Sequence, residues 1–199
     1  MVITHENLRE LTDLPEYIIE KWKKGKIGNA HFSDLVRINL LCRYGGTWID
    51  STVLCTSYPD EIFGEPLFVY QGWMRNNKSI WLSNWLITAE KQNPILLDAQ
   101  KMLWEYWKKY NSVEHYLICH IFITIAAEHH KELWDAMPRF SNIPPHTLQF
   151  EMAKPFTEKR FAQIKKISSL HKLSRHEDFS KNTGDFADFV LHEYLNRAE

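Results

Sequence analysis

Apolar residues recur along this chain with two periods. From Ser33 to Tyr44, Leu35, Val36, Ile38, Leu40 and Leu41 fall at helical spacing, with Ser33 as N-cap and Gly45-Gly46 as the stop. After Pro94, the run Ile95, Leu96, Ala99, Met102, Leu103 and Tyr106 predicts a strong amphipathic helix. Tyr116 to His129 reads as another helix, mostly buried, and Asp185 to Arg197 as a terminal one. Earlier, Thr4 is a fair N-cap for a short helix through Leu11. Pro15 opens and Gly25 closes a helix over Glu16 to Lys24. Thr47 to Thr56 is rich in β-branched and aromatic residues and predicts a buried strand. Leu67 to Tyr70 predicts a second strand, and Val2-Ile3 the tail of one. Pro138, Pro144 and Pro145 break the stretch beyond the Tyr116 helix into loops. The order is mixed α and β, with helix weight toward the second half.

Composition narrows the classes. A length of 199 residues predicts one domain over 1–199. Lys plus Arg is 24 against 25 for Asp plus Glu, so the basic excess that nucleic-acid binding wants is missing. The cysteines Cys42, Cys55 and Cys119 are odd in number and form no CxxC, which points to a reducing, cytoplasmic setting. The opening residues do not read as a signal peptide. The longest apolar run, Tyr116 to Ala127, is interrupted by His120 and falls short of the roughly 20 residues a membrane span takes.

The chemistry concentrates in His31-Phe-Ser-Asp34-Leu-Val-Arg37 and Tyr44-Gly45-Gly46-Thr47-Trp48-Ile49-Asp50-Ser51-Thr52. Asp34 and Arg37 lie at i and i+3 on one helix face. Gly45-Gly46 permits a sharp reversal with positive φ. That reversal delivers Asp50 to a strand end between hydroxyl residues, where a carboxylate suits a hard divalent cation, and a nearby Arg suits phosphate oxygens. Taken singly, an i,i+3 Asp–Arg pair is usually a surface ion pair and Gly-Gly usually a turn. The ordered set is far more specific.

The pattern S-D-x-x-R, six residues, then Y-G-G-x-W-x-D-x-T resembles the central motif of capsular polysaccharide synthesis glycosyltransferases. These are related to α-mannosyltransferases with a DXD sugar motif and, more distantly, to glucosylating toxins. The lead-in Leu14-Pro-Glu-Tyr-Ile-Ile-Glu-Lys21 and Asn93-Pro-Ile-Leu96 fit as well. The resemblance implies a GT-A fold, a Rossmann-like α/β sandwich here entered inside its second strand, without the first β–α unit. It implies hexosyl transfer, mostly retaining, from a nucleotide-sugar donor to an oligosaccharide or lipid-linked saccharide, usually with Mn²⁺ or Mg²⁺. By motif position, Asp34 and Arg37 would contact the donor sugar and diphosphate, with Gly45 and Gly46 beside it. Asp50 would bind sugar and metal, and Asp50 with Arg37 would carry catalysis. Thr52 stands where many relatives have a second Asp. Ser168-Ser-Leu-His171-Lys172-Leu resembles the segment that closes over the diphosphate, with His171 as a metal ligand and Lys172 as a leaving-group clamp.

Two readings remain open: an active transferase, and a non-catalytic domain that binds nucleotide or saccharide or acts in assembly. The basic stretch Arg160 to His176 is equally a solvated loop. Trp81, Asn84 and Trp85 are candidates for a sugar-stacking platform. Glu114, Tyr116 and His120 are candidates for an acceptor pocket, though a buried, hydrogen-bonded His is commoner. Lys21, Lys23, Lys24 and Lys26 form a basic run that would be a solvated face, or would lean on anionic lipid as a peripheral membrane contact.

Overall fold

A computed structural model describes residues 4, 6–72, 79–174 and 183–195. Val2-Ile3, Arg175-His176 and the end of the terminal segment lie outside them. In chain order the elements are α1 (Leu8–Leu11), α2 (Glu16–Lys23), α3 (Asn29–Tyr44), β1 (Gly46–Ile49), β2 (Val53–Cys55), α4 (Asp60–Phe63), β3 (Leu67–Gln71), β4 (Leu82–Ala89), α5 (Pro94–Lys109), α6 (Ile118–His129), α7 (Lys131–Ala136), α8 (Glu158–Ile167), β5 (Leu170–Lys172) and α9 (Phe186–Val190), which runs into a π-type turn, Leu191–Leu195. Two 3-10 turns, Pro144–His146 and Gln149–Glu151, precede α8. The chain is mixed α and β with small sheets. It forms two compact units, Met1–Trp48 with Glu61–Phe140, and Ile49–Asp60 with Ser141–Glu199.

In the first unit a sheet of order β1-β4-β3, with β3 and β4 antiparallel, packs with α3, α5 and α6. The predicted amphipathic helix is α5. Asn93 caps it, its side chain accepting from the Ile95 and Leu96 amides at 3.2 and 3.4 Å, and Pro94 fills the first turn. Its other end is closed by Lys21, whose ammonium donates to the carbonyls of Trp107, Lys108 and Tyr110. One member of the basic run is thus a helix cap, while Lys24 pairs with Glu20 at 3.2 Å.

α3 begins one turn before Ser33, at Asn29. Phe32 stacks on Trp22 with ring centroids 4.0 Å apart, and Trp22 donates to the Asn29 side chain, so packing extends the helix toward its N-terminus. β4 is absent from the predicted elements. All eight of its residues are buried, but Ser83, Asn84 and Thr88 interrupt the apolar pattern. Two of these polar side chains are satisfied by remote partners: Thr88 by Thr47 at 2.9 Å, and Asn84 by Asp34.

The predicted strand Thr47 to Thr56 is two strands. A turn closed by the Val53 amide on the Asp50 carbonyl (3.1 Å) separates β1 from β2, and neither is fully buried. β2 belongs to the second unit, where it pairs antiparallel with β5 in the register Val53↔Lys172, Leu54↔His171 and Cys55↔Leu170. The second unit's core is Leu148, Met152, Phe161, Ile164, Phe186, Ala187 and Val190. The basic stretch after Arg160 is therefore not a loop but α8 and β5. Thr157 caps α8, Phe161 and Ile164 face the core, and Arg160 is held by the nearly buried Glu151 at 2.7 Å.

Candidate functional site

In the first unit, the motif residues of α3 meet β4. Arg37 is 6% exposed, so the Asp34–Arg37 pair is not a surface ion pair. Its Nη1 donates to the Asn84 carbonyl at 2.6 Å, its Nη2 to Ser33 Oγ at 3.2 Å, and Nη2 lies 3.5 Å from Asp34 Oδ1. Asn84 Nδ2 donates to the same Asp34 oxygen at 2.8 Å. His31 Nδ1 stands 3.8 Å from Asp34 Oδ2. The Arg37 guanidinium lies 5.1 Å from the Trp48 ring centre, a cation–π distance. Burial pushes the adjacent Cys119 thiol up, and the Asp34 charge adds to that. The result is a buried guanidinium held by Ser33 and the Asn84 carbonyl, beside a part-buried carboxylate held by the Asn84 side chain.

Three sequence candidates take structural places. Asn84 holds Asp34 and Arg37 rather than forming part of a stacking platform. Trp85 is 5% exposed and stacks on Tyr70 at 4.9 Å, so it is core. Trp81 tilts against Trp134 and also packs on the core. His120, half-buried on α6, accepts the Thr124 hydroxyl on its carbonyl. Tyr116 lies before α6, not one turn from His120, and meets the His31 ring edge-on at 5.5 Å. Gly45 packs its Cα side on the backbone of 89–91, and Gly46 is open. An apolar cavity of about 380 Å³ lies at the C-terminal end of α3, lined by Leu40, Leu41, Tyr44 and Trp48 among others. His31 and Trp48 stood in the motif with no role assigned, and the cavity has no signature in sequence.

In the second unit, Asp50 sits in the turn before β2. The Lys172 ammonium is 3.7 Å from Asp50 Oδ2, hydrogen-bonds Thr52 Oγ1, and approaches the Leu173 carbonyl at 3.4 Å. The Leu173 amide donates to the Thr52 carbonyl at 2.9 Å, extending the β2–β5 ladder past the strand ends. His171 is fully buried and shares a 3.0 Å hydrogen bond with Thr56 Oγ1 through Nε2. Alternation along β5 sends Lys172 and His171 to opposite faces, so the two do not converge on Asp50.

The model of the family described as capsular polysaccharide synthesis protein matches residues 1–192. The chain belongs to this family. A relative, Subversion of eukaryotic traffic protein A of Legionella pneumophila subsp. pneumophila, is 35% identical over 65 residues, 32% of this chain. The match spans about a tenth of that relative's length. No solved structure matches. No described helix is long and apolar enough to cross a membrane.

The metal that this capsular family resemblance implies fits the residues at Asp50 poorly. Among the described residues, no three His, Cys, Asp or Glu side chains gather as a cation cage. Asp50 offers one carboxylate, Thr52 a hydroxyl, and Lys172 already places a positive charge against that carboxylate. Two unit charges 4 Å apart interact by about 4 kcal/mol at a near-surface effective dielectric, and a dication doubles the repulsion from the ammonium.

Burial pushes the His171 imidazole down to about 4. The unfolded chain, with an ordinary imidazole near 6.5, then binds the proton more readily than the folded one. His171 therefore leaves stability untouched above about pH 6.5 and drains it as pH falls toward 4. At pH 5 the loss is about 2 kcal/mol relative to pH 7. Burial lowers His146 as well, in the same direction. The check is urea unfolding by circular dichroism at both pH values. His171→Gln should lose less stability on acidification than the native chain; equal losses would remove His171 as the cause.

Proposed function

We propose that this chain transfers a sugar from a nucleotide-sugar donor to a saccharide hydroxyl in capsular or surface polysaccharide synthesis, as a retaining, GT-A-like glycosyltransferase. The observation that supports this best is the buried Asp34–Arg37–Asn84 lock, built from the S-D-x-x-R segment inside a family match that covers residues 1–192. Such a lock is a costly way to stabilise a fold, because burying a charge pair often breaks even at best. It is an effective way to present a fixed carboxylate and guanidinium to a polar ligand. In this reading Asp34 accepts from donor-sugar hydroxyls, Arg37 offers charge to the diphosphate, and Asp50 orients the sugar. Lys172 stabilises the departing diphosphate. The acceptor is an oligosaccharide or a lipid-linked saccharide. The exposed Lys23 and Lys26 would meet anionic lipid at a membrane surface.

The test is release of UDP or GDP from UDP-glucose, UDP-N-acetylglucosamine and GDP-mannose in the presence of a saccharide acceptor. Asp50→Asn should lower turnover by about 10²–10³, the range for losing one positioned electrostatic contact, with an unchanged circular dichroism spectrum. Unchanged turnover in that variant would sink the role given to Asp50. The second reading, a binding-only domain, draws on Thr52 at the position two after Asp50. It predicts nucleotide binding with no release from any sugar donor.

A further inference from the structure

We infer that Lys172 takes the place of a divalent cation at Asp50, so that a nucleoside diphosphate binds this chain without metal. The inference rests on the donor-binding reading above and specifies its ligand chemistry.

A divalent cation held at Asp50 would supply positive charge to that carboxylate and to phosphate oxygens. The Lys172 ammonium already stands 3.7 Å from Asp50 Oδ2. Thr52, two residues after Asp50, is where a second carboxylate would be needed to hold a dication. Its side chain is instead a hydroxyl that accepts from that ammonium. A hydroxyl is a poor ligand for a hard cation and a good acceptor from an ammonium, so Thr52 suits the lysine better than it suits a dication. His171 lies on the other face of β5, bonded to Thr56.

The lysine's position is fixed by backbone. Val53 stands opposite Lys172 in the β2–β5 register, and the Leu173 amide donates to the Thr52 carbonyl at 2.9 Å. The main chain thus fixes where the Lys172 stem starts, beside the Asp50 turn. The Asp50 and Lys172 side chains remain 25% and 19% accessible, enough for phosphate oxygens to reach them. An ammonium carries three N–H donors, and a charge-assisted bond to phosphate is among the stronger hydrogen bonds available.

The experiment is calorimetric titration of UDP and of GDP into the full chain, once in EDTA and once in Mn²⁺, repeated with Lys172→Met. Native chain should bind one of the two nucleotides in EDTA with a Kd within about twofold of that in Mn²⁺. Lys172→Met should weaken binding in EDTA by about tenfold or more, the loss of one charge-assisted contact. Binding by the native chain only in Mn²⁺ would overturn the inference and leave the donor-binding reading standing. Unchanged binding by Lys172→Met in EDTA would overturn it too. Absence of binding to both nucleotides under both conditions would overturn the donor-binding reading itself. The native-chain comparison decides the metal question even if the variant does not fold.

Discussion

Replacing Arg37 with methionine is expected to destabilise the first unit by about 3–5 kcal/mol, the range for breaking a buried charge pair from one side. Four acceptors lose an Arg37 contact at once: the Asn84 carbonyl, the Ser33 carbonyl and hydroxyl and, at 3.5 Å, the Asp34 carboxylate. Methionine fills much of the volume but donates nothing, so the part-buried carboxylate keeps Asn84 as its remaining hydrogen-bond donor of this lock. Asp34→Asn added to Arg37→Met removes that uncompensated charge and should recover part of the loss. Arg37→Lys should lie between, since an ammonium cannot span the Asn84 carbonyl and Ser33 as the guanidinium fork does. The seven tryptophans among the described residues, from Trp22 to Trp134, belong to the first unit, and the second unit's segments contain no Trp, so tryptophan fluorescence in urea reads the first unit. A loss below about 1 kcal/mol, the scale of an exposed pair, would mean that Arg37 is not structurally bound into the lock. The corollary for function is direct: lost activity in Arg37→Met counts as a catalytic effect only after the fluorescence melt shows the unit folded.

The lock shows where sequence reading works and where it stops. Asp34 and Arg37 are legible together because helical spacing puts i and i+3 on one face. Asn84 is 50 residues from Asp34 and reaches it only because β4 packs against α3, a fact of tertiary packing. β4 itself hides for the same reason. Its Asn84 and Thr88 look like surface residues until their partners are known, and a strand buried on both faces has no alternation to detect. α5 and β3, by contrast, carry apolar patterns that match their burial; β3 runs one residue past its predicted end and α5 three residues past its last patterned position, Tyr106. The Asp50 region divides in the same way. The Gly-Gly stop and the Asp are local and legible. The turn that breaks the strand, and the lysine that arrives from 120 residues beyond Thr52, depend on β2 pairing with β5. The basic stretch from Arg160 misleads because the four basic residues of α8, Lys159, Arg160, Lys165 and Lys166, outnumber the two apolar residues, Phe161 and Ile164, that it buries.

Gly45→Ala should be about as damaging as the loss of Arg37, near 4 kcal/mol, and Gly46→Ala much milder. Both glycines have left-handed φ, +71° and +94°. That conformation alone costs a side-chain-bearing residue about 1–2 kcal/mol, which is the whole expected effect at Gly46, where an added Cβ meets nothing within 4 Å. At Gly45 the added Cβ would lie 2.7 Å from the Lys91 amide nitrogen, 3.1 Å from the Ala89 carbonyl oxygen and 3.2 Å from the Glu90 carbonyl carbon. All three are backbone atoms and none can swing aside as a side chain would. The segment is pinned as well: the Gln92 amide donates to the Cys42 carbonyl at 2.9 Å, and Glu90 to the Pro66 carbonyl at 2.8 Å. Relief therefore requires moving the end of β4 or the last turn of α3, and overpacking of this kind adds about 1–3 kcal/mol to the conformational cost. The same helix carries Asp34 and Arg37 further back along its length, and β4 carries Asn84, so a shift of either element also strains the contact between them. Fluorescence-detected urea midpoints for the two alanine variants, measured side by side, separate the two contributions. Equal midpoints would show that conformation alone makes both positions glycine and that the close approach of residues 89–91 adds nothing.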